Sequence, residues 1–537
     1  MAEFIDEKTA AALIKDGQTL AVGGFGAFAS PEALLQAIAD SYEETGHPAD
    51  LDIACLVGVG NNSEGPVGLN RIADPGLMRS VIGGHFAFTP LVGQLISENR
   101  IEAYSIPLGS IVHLFRAMEA GSSDYITQIG LGTFADPRKE GCKVNEKAKS
   151  SSREIVSLTK INGREYLTYR AFPIDVCIIR GTYADEDGNI SMDDEPVGDY
   201  ELEIAGATRA SGGIVIVQVK EIIKRGTMHP KKVRIHNSQV DYIVKCTDPV
   251  SFHRQCTAGA DRPELTGEIF CPTAAIPPMS MSNRKIIARR GVKYLKKGML
   301  INLGIGIPSG IGSVANEEGL SDYLTLSLET GPIGGVPVEG VAFGASVNPE
   351  IIHTIAEIFD LYDGGALDMT FLGAAEIDAL GNVNVSKFGT RCTGPGGFVN
   401  ISQRTPRTCF MGTFTAGGLR EEVRDGKLVI LQEGKNKKFK KNVQQITYSG
   451  EYAALNGQDV SYVTERAVFR LTPRGLMLTE IAPGVDLLED VLGQMEFEPL
   501  ISDDLRLMDE DIFRDQKMNI IDEFLCETGQ KLFQYYP

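Results

Sequence analysis

The sequence predicts an α/β protein built as two similar α/β domains that arose by internal duplication, on three observations. The chain has 537 residues, more than one hydrophobic core supports. Apolar runs of strand length end repeatedly in glycines and are followed by helix starts. Several short motifs recur in the same order in the second half. With 43% apolar residues and 59 Gly, the composition is that of a soluble α/β protein with many tight strand–helix turns.

Taken in order, residues 1–17 carry an amphipathic helix pattern rather than a signal peptide. A strand over Thr19–Val22 leads into Gly23-Gly24-Phe25-Gly26, where Ser30 is placed to cap the next helix and Pro31 to open it. Such a unit can cradle a phosphate or carboxylate on backbone N–H groups, or be no more than a tight turn. Further βα material follows at Asp52–Val59, Ser80–Phe88 and Ile101–Ile106, then a polar, glycine-rich segment, Gln128–Lys149, expected as a long ordered loop. A strand at Val176–Arg180, a turn at Asp185–Asn189, a helix over Tyr200–Ala210 and a strand at Ile214–Val219 complete the first half.

The recurrence is local but ordered. Leu13–Gly17 and its glycine loop echo Leu295–Gly298 followed by Leu303–Pro308. Asp185–Ile190 echoes Asp378–Val383, and Gly212–Val215 echoes Gly396–Val399. The join falls in the turn-rich stretch Thr247–Ser282, with Pro249, Pro263, Pro272, Pro277 and Pro278, which divides the chain into domains 1–278 and 279–537. The most basic window, Gly434–Lys441, reads as a solvated hairpin turn ahead of a phosphate contact; strands over Tyr462–Val468 and Leu476–Ile481 and a helical tail over Asp511–Tyr536 close the chain.

Composition also excludes. No apolar run approaches the roughly 20 residues of a membrane span. A net charge of −19 argues against nucleic acid or an anionic membrane as partner. Nine Cys without CxxC pairs are reduced, cytoplasmic usage. The seven His form no metal spacing and none is placed for a Ser–His or Cys–His pair, so no metal is expected. His85, within GGHFAFTP, reads as a structural histidine ahead of a pocket-lining one.

The chemistry concentrates in Leu324–Gly340. The strand-like run of Tyr323, Leu324, Leu326 and Leu328 ends at Glu329, and Thr330-Gly331-Pro332 and Gly334-Gly335 follow. A lone Glu there reads as a solvated turn residue. At a strand exit among glycines that admit close backbone approach, a carboxylate can also be a nucleophile, and two further glycine loops favour that reading.

These residues resemble the family I CoA-transferases, in particular their single-chain, two-domain members of the acetate/propionate type. Asp16-Gly17 through Gly23-Gly24-Phe25 to Pro31 fits the first family signature, with Ala29 in place of its last glycine. Leu328-Glu329-Thr330-Gly331-Pro332-Ile333-Gly334-Gly335 is similar to the signature around the catalytic glutamate, where two-chain members carry Ser-Glu-Asn-Gly. The resemblance implies a CoA-transferase-like fold with its active site in the interdomain cleft, and a ping-pong reaction through a glutamyl-CoA thioester at Glu329. It implies oxyanion donors among Gly396 and Gly397, with Gly23 and Gly24 opposite, and a loop along CoA formed by Gly304, Ile305, Gly306, Ile307 and Pro308. Coenzyme A would be substrate and covalent intermediate, with no permanently bound cofactor; the partners would be an acyl-CoA, a small carboxylic acid and like chains in a homo-oligomer (dimer or tetramer).

One departure stands out. Family members carry Pro-Gln-Gly or Ser-Gln-Gly where this chain has Pro107-Leu108-Gly109, and leucine offers no hydrogen bond to an acceptor carboxylate. The acceptor is therefore expected to be a short-chain monocarboxylate (acetate, propionate, lactate) or, given Leu108, a larger aryl-acrylic acid such as caffeate. Three other readings compete: an acyl-CoA hydrolase on the same intermediate, a non-catalytic CoA sensor, and an NAD-dependent dehydrogenase. Against the last, Pro308 and Ser309 stand where a dinucleotide fingerprint needs glycine.

Overall fold

Parallel strands that are covered on both faces read as near-continuous apolar runs, and Val176–Ile179 and Val215–Val217 are buried throughout. They lie at the centre of a 10-stranded sheet whose main path runs Glu3–Ile5, Tyr242–Lys245, Ile214–Ile223, Val176–Asp185, Thr19–Val22, Leu51–Cys55, Met78–Gly83, Glu102–Ser105. Every neighbour on that path is parallel. The chain winds outward from Thr19–Val22 to one edge and returns to Val176–Asp185 on the other side. The carboxyl ends of those two strands are thus the reversal point, where open α/β sheets bind ligands.

The computed structural model describes residues 2–257, 259, 261–272, 278–338 and 340–526. Its first compact unit holds Met1–Cys271, Glu329–Asp360 and Ser386–Asn400; its second holds Pro272–Leu328, Leu361–Val385 and Ile401–Pro537. This differs from the expected split at 278/279, because two later segments carry apolar groups whose partners lie in the first unit. Cys392 and Val399 belong to the core cluster that contains Leu20, Ile53, Val81 and Ile178. Ala345 packs in a smaller cluster with Phe28 and Val197.

In the second unit the strands run Thr325–Ser327, Leu300–Leu303, Met369–Gly373, Arg407–Met411, Asp459–Val463, all parallel. Ala467–Thr472 and Gly475–Ile481 follow antiparallel, and Leu500–Leu507 lies parallel to the last of them. Ile301, Phe371, Cys409 and Val463 share its core.

The duplication is visible bond by bond. Thr19 N–H donates to Asp175 Oδ2 at 2.8 Å, and Leu300 N–H to Asp368 Oδ2 at 2.8 Å. Asp185 Oδ1 accepts from Asn189 N–H at 2.9 Å and Oδ2 from Asn189 Nδ2 at 2.9 Å; Asp378 holds Asn382 the same way at 3.0 and 2.9 Å. The third expected echo fails. Gly212-Gly213 lead into the strand Ile214–Ile223, whereas Gly396-Gly397 lead into the helix Phe398–Arg404. In the order of elements the latter pair corresponds to the start of Glu201–Ala210.

Smaller expectations shift too. The N-terminal pattern divides into a strand, Glu3–Ile5, and a helix, Glu7–Leu13, capped by Asp6. Ser30 does not cap: its hydroxyl donates to Glu32 Oε1 at 2.9 Å and Pro31 holds the cap position. The basic window pairs Asn436–Lys437 with Thr415–Ala416, and Lys440 with Glu496 at 2.7 Å. The run Tyr462–Val468 breaks between two strands. The tail helix covers Ile521–Cys526; the rest of that expectation lies outside the described residues. Among the described residues, no helix is long and apolar enough to cross a membrane.

Candidate functional site

The first unit fixes the backbone around Glu329 from several sides. Gly198 N–H donates to the Thr330 carbonyl at 2.6 Å, and His353 N–H to the Gly331 carbonyl at 3.1 Å. The Thr330 hydroxyl donates to the Gly344 carbonyl. Gly331 has φ +112°, and a Cβ there would stand 2.2 Å from the His353 carbonyl oxygen, so this position needs glycine.

The Glu329 carboxylate lies against the turn Gly394–Gly397. Gly397 N–H bonds to it, and a Cβ on Gly397 would fall 1.9 Å from Glu329 Oε2. The same point is 3.0 Å from Cζ of Phe359, an apolar wall. The turn is pinned in both directions: Gly396 N–H donates to the Gly84 carbonyl at 3.0 Å, and its own carbonyl accepts Leu108 N–H at 3.2 Å. Part of Glu329 stays open to solvent, but desolvation pushes its carboxyl up to about 7, with the Gly397 amide pulling the other way. Near neutral pH it is therefore divided between acid and carboxylate.

His85 lies beside this turn. Its Nδ1 and Glu329 Oε1 stand 4.0 and 3.9 Å from where a Cβ of Gly396 would be. Nδ1 bonds to the Gly394 carbonyl at 3.1 Å, and because a carbonyl only accepts, Nδ1 carries the proton. Burial lowers the ring's pKa and favours the neutral imidazole, the bond to the Gly394 carbonyl pulling the other way. Asn400, wholly buried, accepts Gly109 N–H on Oδ1 at 3.1 Å and ties the helix after the turn to the first turn of the helix Leu108–Glu119. Sequence reasoning passed over Asn400 and Phe359, since only the folded chain brings Phe359 beside Glu329 and Asn400 to Gly109.

The other expected residues separate. Gly23 N–H is spent on the Ile178 carbonyl at 2.9 Å and Gly24 N–H on Glu201 Oε1 at 3.0 Å, so neither is an available oxyanion donor. Gly396 N–H is likewise spent. Leu108 has 0% exposed surface, so it offers nothing to an acceptor in this structure. Gly304 to Pro308 belong to the second unit, where Gly304 N–H donates to the Phe371 carbonyl at 2.8 Å and Ile305 is 59% exposed.

Comparison with known proteins gives a consistent result. The family model described as coenzyme A transferase matches residues 5–246 and 284–492. The chain is 43% identical over 522 residues to the caffeate CoA-transferase of Acetobacterium woodii, covering 96% of this chain and 98% of that one. It is 41% identical over 509 residues to the acetate CoA-transferase YdiF of Escherichia coli K12, covering 95% and 94%. The crystal structure of the YdiF acyl-CoA transferase apoenzyme from E. coli O157:H7 superposes with a TM-score of 0.90 at 39% identity, covering 96% of this chain and 97% of that one. A second structure of that enzyme, a thioester complex with CoA, gives 0.89.

Proposed function

This chain belongs to the coenzyme A transferase family, and we propose that it carries CoA from an acyl-CoA to a free carboxylate by way of a thioester on Glu329. The observation that carries this reading is the Glu329 carboxylate held against the Gly397 amide in a desolvated setting. A carboxylate oxygen of Glu329 attacks the thioester carbonyl carbon; the C–S bond breaks, releasing CoA thiolate and leaving an acyl–glutamyl anhydride. The thiolate then attacks the Glu329 carbonyl carbon and breaks the anhydride C–O bond, so the donor acid leaves as carboxylate and glutamyl-CoA remains. An acceptor carboxylate runs both steps in reverse.

A carboxylate is a weak nucleophile, so rate must come from positioning, water exclusion and donors aimed at each developing oxyanion. Gly397 N–H suits the oxyanion on the glutamyl carbon, and the Gly304–Pro308 loop, exposed at Ile305 and Gly306, suits the length of CoA. The acceptor is a short monocarboxylate or a larger aryl-acrylic acid; relatives named for acetate and for caffeate stand at similar identity. Leu108 is wholly buried, so its side chain presents no surface to an acceptor, and its backbone amide holds the Gly396 carbonyl. Rates for a panel from acetate to cinnamates, on wild type and Leu108→Gln, test this: a uniform fall fits an indirect role, a changed order of preference a direct contact.

With acyl-CoA alone, intact-mass spectrometry of wild type should show a gain of one CoA less one water, removed by borohydride. Glu329→Gln should show neither adduct nor turnover while remaining folded; normal turnover in that variant would sink the mechanism. Hydrolysis on the same intermediate is separated by free-thiol release without acceptor, expected to be orders of magnitude slower than exchange.

A further inference from the structure

Four residues that no motif singled out, Gly198-Asp199-Tyr200-Glu201, touch several of the backbone segments that converge on Glu329. Gly198 N–H holds the carbonyl of Thr330, next to the nucleophile, at 2.6 Å. The Asp199 carbonyl accepts Ile355 N–H at 3.0 Å. Glu201 takes Gly24 N–H on Oε1 at 3.0 Å and Tyr200 N–H on Oε2 at 2.8 Å. The Tyr200 hydroxyl accepts Leu56 N–H at 3.3 Å and donates to the carbonyl of Val22 at 3.0 Å or of Gly24 at 3.2 Å.

From Leu56 the bonds lead back to the nucleophile. The Leu56 carbonyl accepts Gly84 N–H at 2.8 Å, the Gly84 carbonyl accepts Gly396 N–H at 3.0 Å, and the next amide, Gly397, meets the Glu329 carboxylate. A closed ring results: Glu329–Thr330 to Gly198–Tyr200, to Leu56, to Gly84, to Gly396–Gly397, and back to Glu329. All its links are backbone groups except two, the Glu329 carboxylate and the Tyr200 hydroxyl.

We infer that Gly198–Glu201 is a positioning brace for the Gly396–Gly397 turn, with the Tyr200 hydroxyl as its working group. The inference rests on the reading of Glu329 as nucleophile and adds to it what aims the amide. Removing one oxyanion donor outright costs about 10²–10³-fold in kcat. Letting it drift costs less, and the loss falls on kcat because the contact is made fully only in the transition state.

Tyr200→Phe keeps the ring, which is 1% exposed and stacked on Phe115 at 6.4 Å, and deletes only the hydroxyl. Counting sites by the CoA adduct on Glu329 and expressing rates per adduct removes any loss of folded protein. The expected result is a kcat per site lower by roughly 10- to 100-fold, with KM for acyl-CoA within about twofold. The acid limb of kcat/KM should also move to higher pH, because the Gly397 amide lowers the Glu329 carboxyl, while burial disfavours the charged form of neighbouring His85. A purely structural tyrosine would lower Tm and leave both readouts unmoved. Unchanged kcat per site with an unmoved acid limb overturns the brace. Should Tyr200→Phe not fold, Glu201→Gln, which spoils one of the two amide contacts on the same segment, is read identically: a smaller fall and shift support the brace, and wild-type values overturn it. Absence of the CoA adduct in wild type would instead overturn the underlying mechanism.

Discussion

The two halves carry the same loop and use it in opposite ways. Gly23-Gly24 and Gly304–Gly306 each follow the strand beside the reversal point of their sheet. In each, the first glycine donates to the neighbouring strand, Gly23 to Ile178 at 2.9 Å and Gly304 to Phe371 at 2.8 Å. There the likeness ends. A Cβ on Gly24 would meet the Ala29 carbonyl at 2.7 Å and Val59 Cγ1 at 2.8 Å, and Glu201, its carboxyl held up to about 8 mainly by burial, takes the Gly24 N–H at 3.0 Å. A Cβ on Gly306 would meet nothing within 4 Å. In the first loop glycine allows close packing; in the second it allows only the left-handed backbone, and the surface stays open. A glycine loop is thus a wall of the fold in one repeat and an exposed rim in the other.

Substitutions at three glycines sharpen that contrast. The largest effect belongs to Gly397, where the space is closed by the Glu329 carboxylate: Gly397→Ala should cut kcat at least about 100-fold while circular dichroism stays native. A variant that turned over normally would mean Glu329 reacts from another position. Next is Gly24→Ala, closed by the fold, which should lose about 2–4 kcal/mol in urea unfolding through overpacking and a strained φ of +93°. Third, Glu329 itself tests how closed its site is. Its folded carboxyl is held at about 7 against 4.5, so the proton binds more tightly in the fold, and stability falls as pH rises from the lower value through the higher. The full difference corresponds to about 3 kcal/mol, but part of the side chain is open to solvent, so Glu329→Gln should be more stable than wild type by about 1–2 kcal/mol near pH 8, the gap closing toward about pH 5. A constant gap would mean the carboxylate is well solvated. The smallest change is Gly306→Ala: about 1 kcal/mol from its left-handed backbone, yet a several-fold higher KM for acyl-CoA if the open rim meets CoA. An unchanged KM would detach that loop from the ligand.

What could be read from sequence was what short range determines. The Asp-x-x-Gly-Asn turns were legible in both halves because one Asp side chain organises its own next four residues. Glu329 stood out because a strand ended on it among glycines. The echo of Gly212-Gly213 in Gly396-Gly397 failed because the same dipeptide can end one helix and precede another, and only neighbours far along the chain decide which. Leu108 read as ligand surface from its place in a motif, but the fold buries it at the first turn of the helix Leu108–Glu119. Tyr200 and Asn400 were not legible at all. Each works through partners more than a hundred residues away.

The exchange of segments between units also has a consequence in time. A ribosome adding ~5–20 residues per second needs roughly 6–26 s to pass from Cys271 to Asn400, the last residue of the first unit. Through that interval the nascent sheet has all its strands, but its core still lacks Cys392 and Val399 and the turn Gly394–Gly397 is unmade. The first-made half of this protein therefore waits, incompletely sealed, until residues 386–400 have been made.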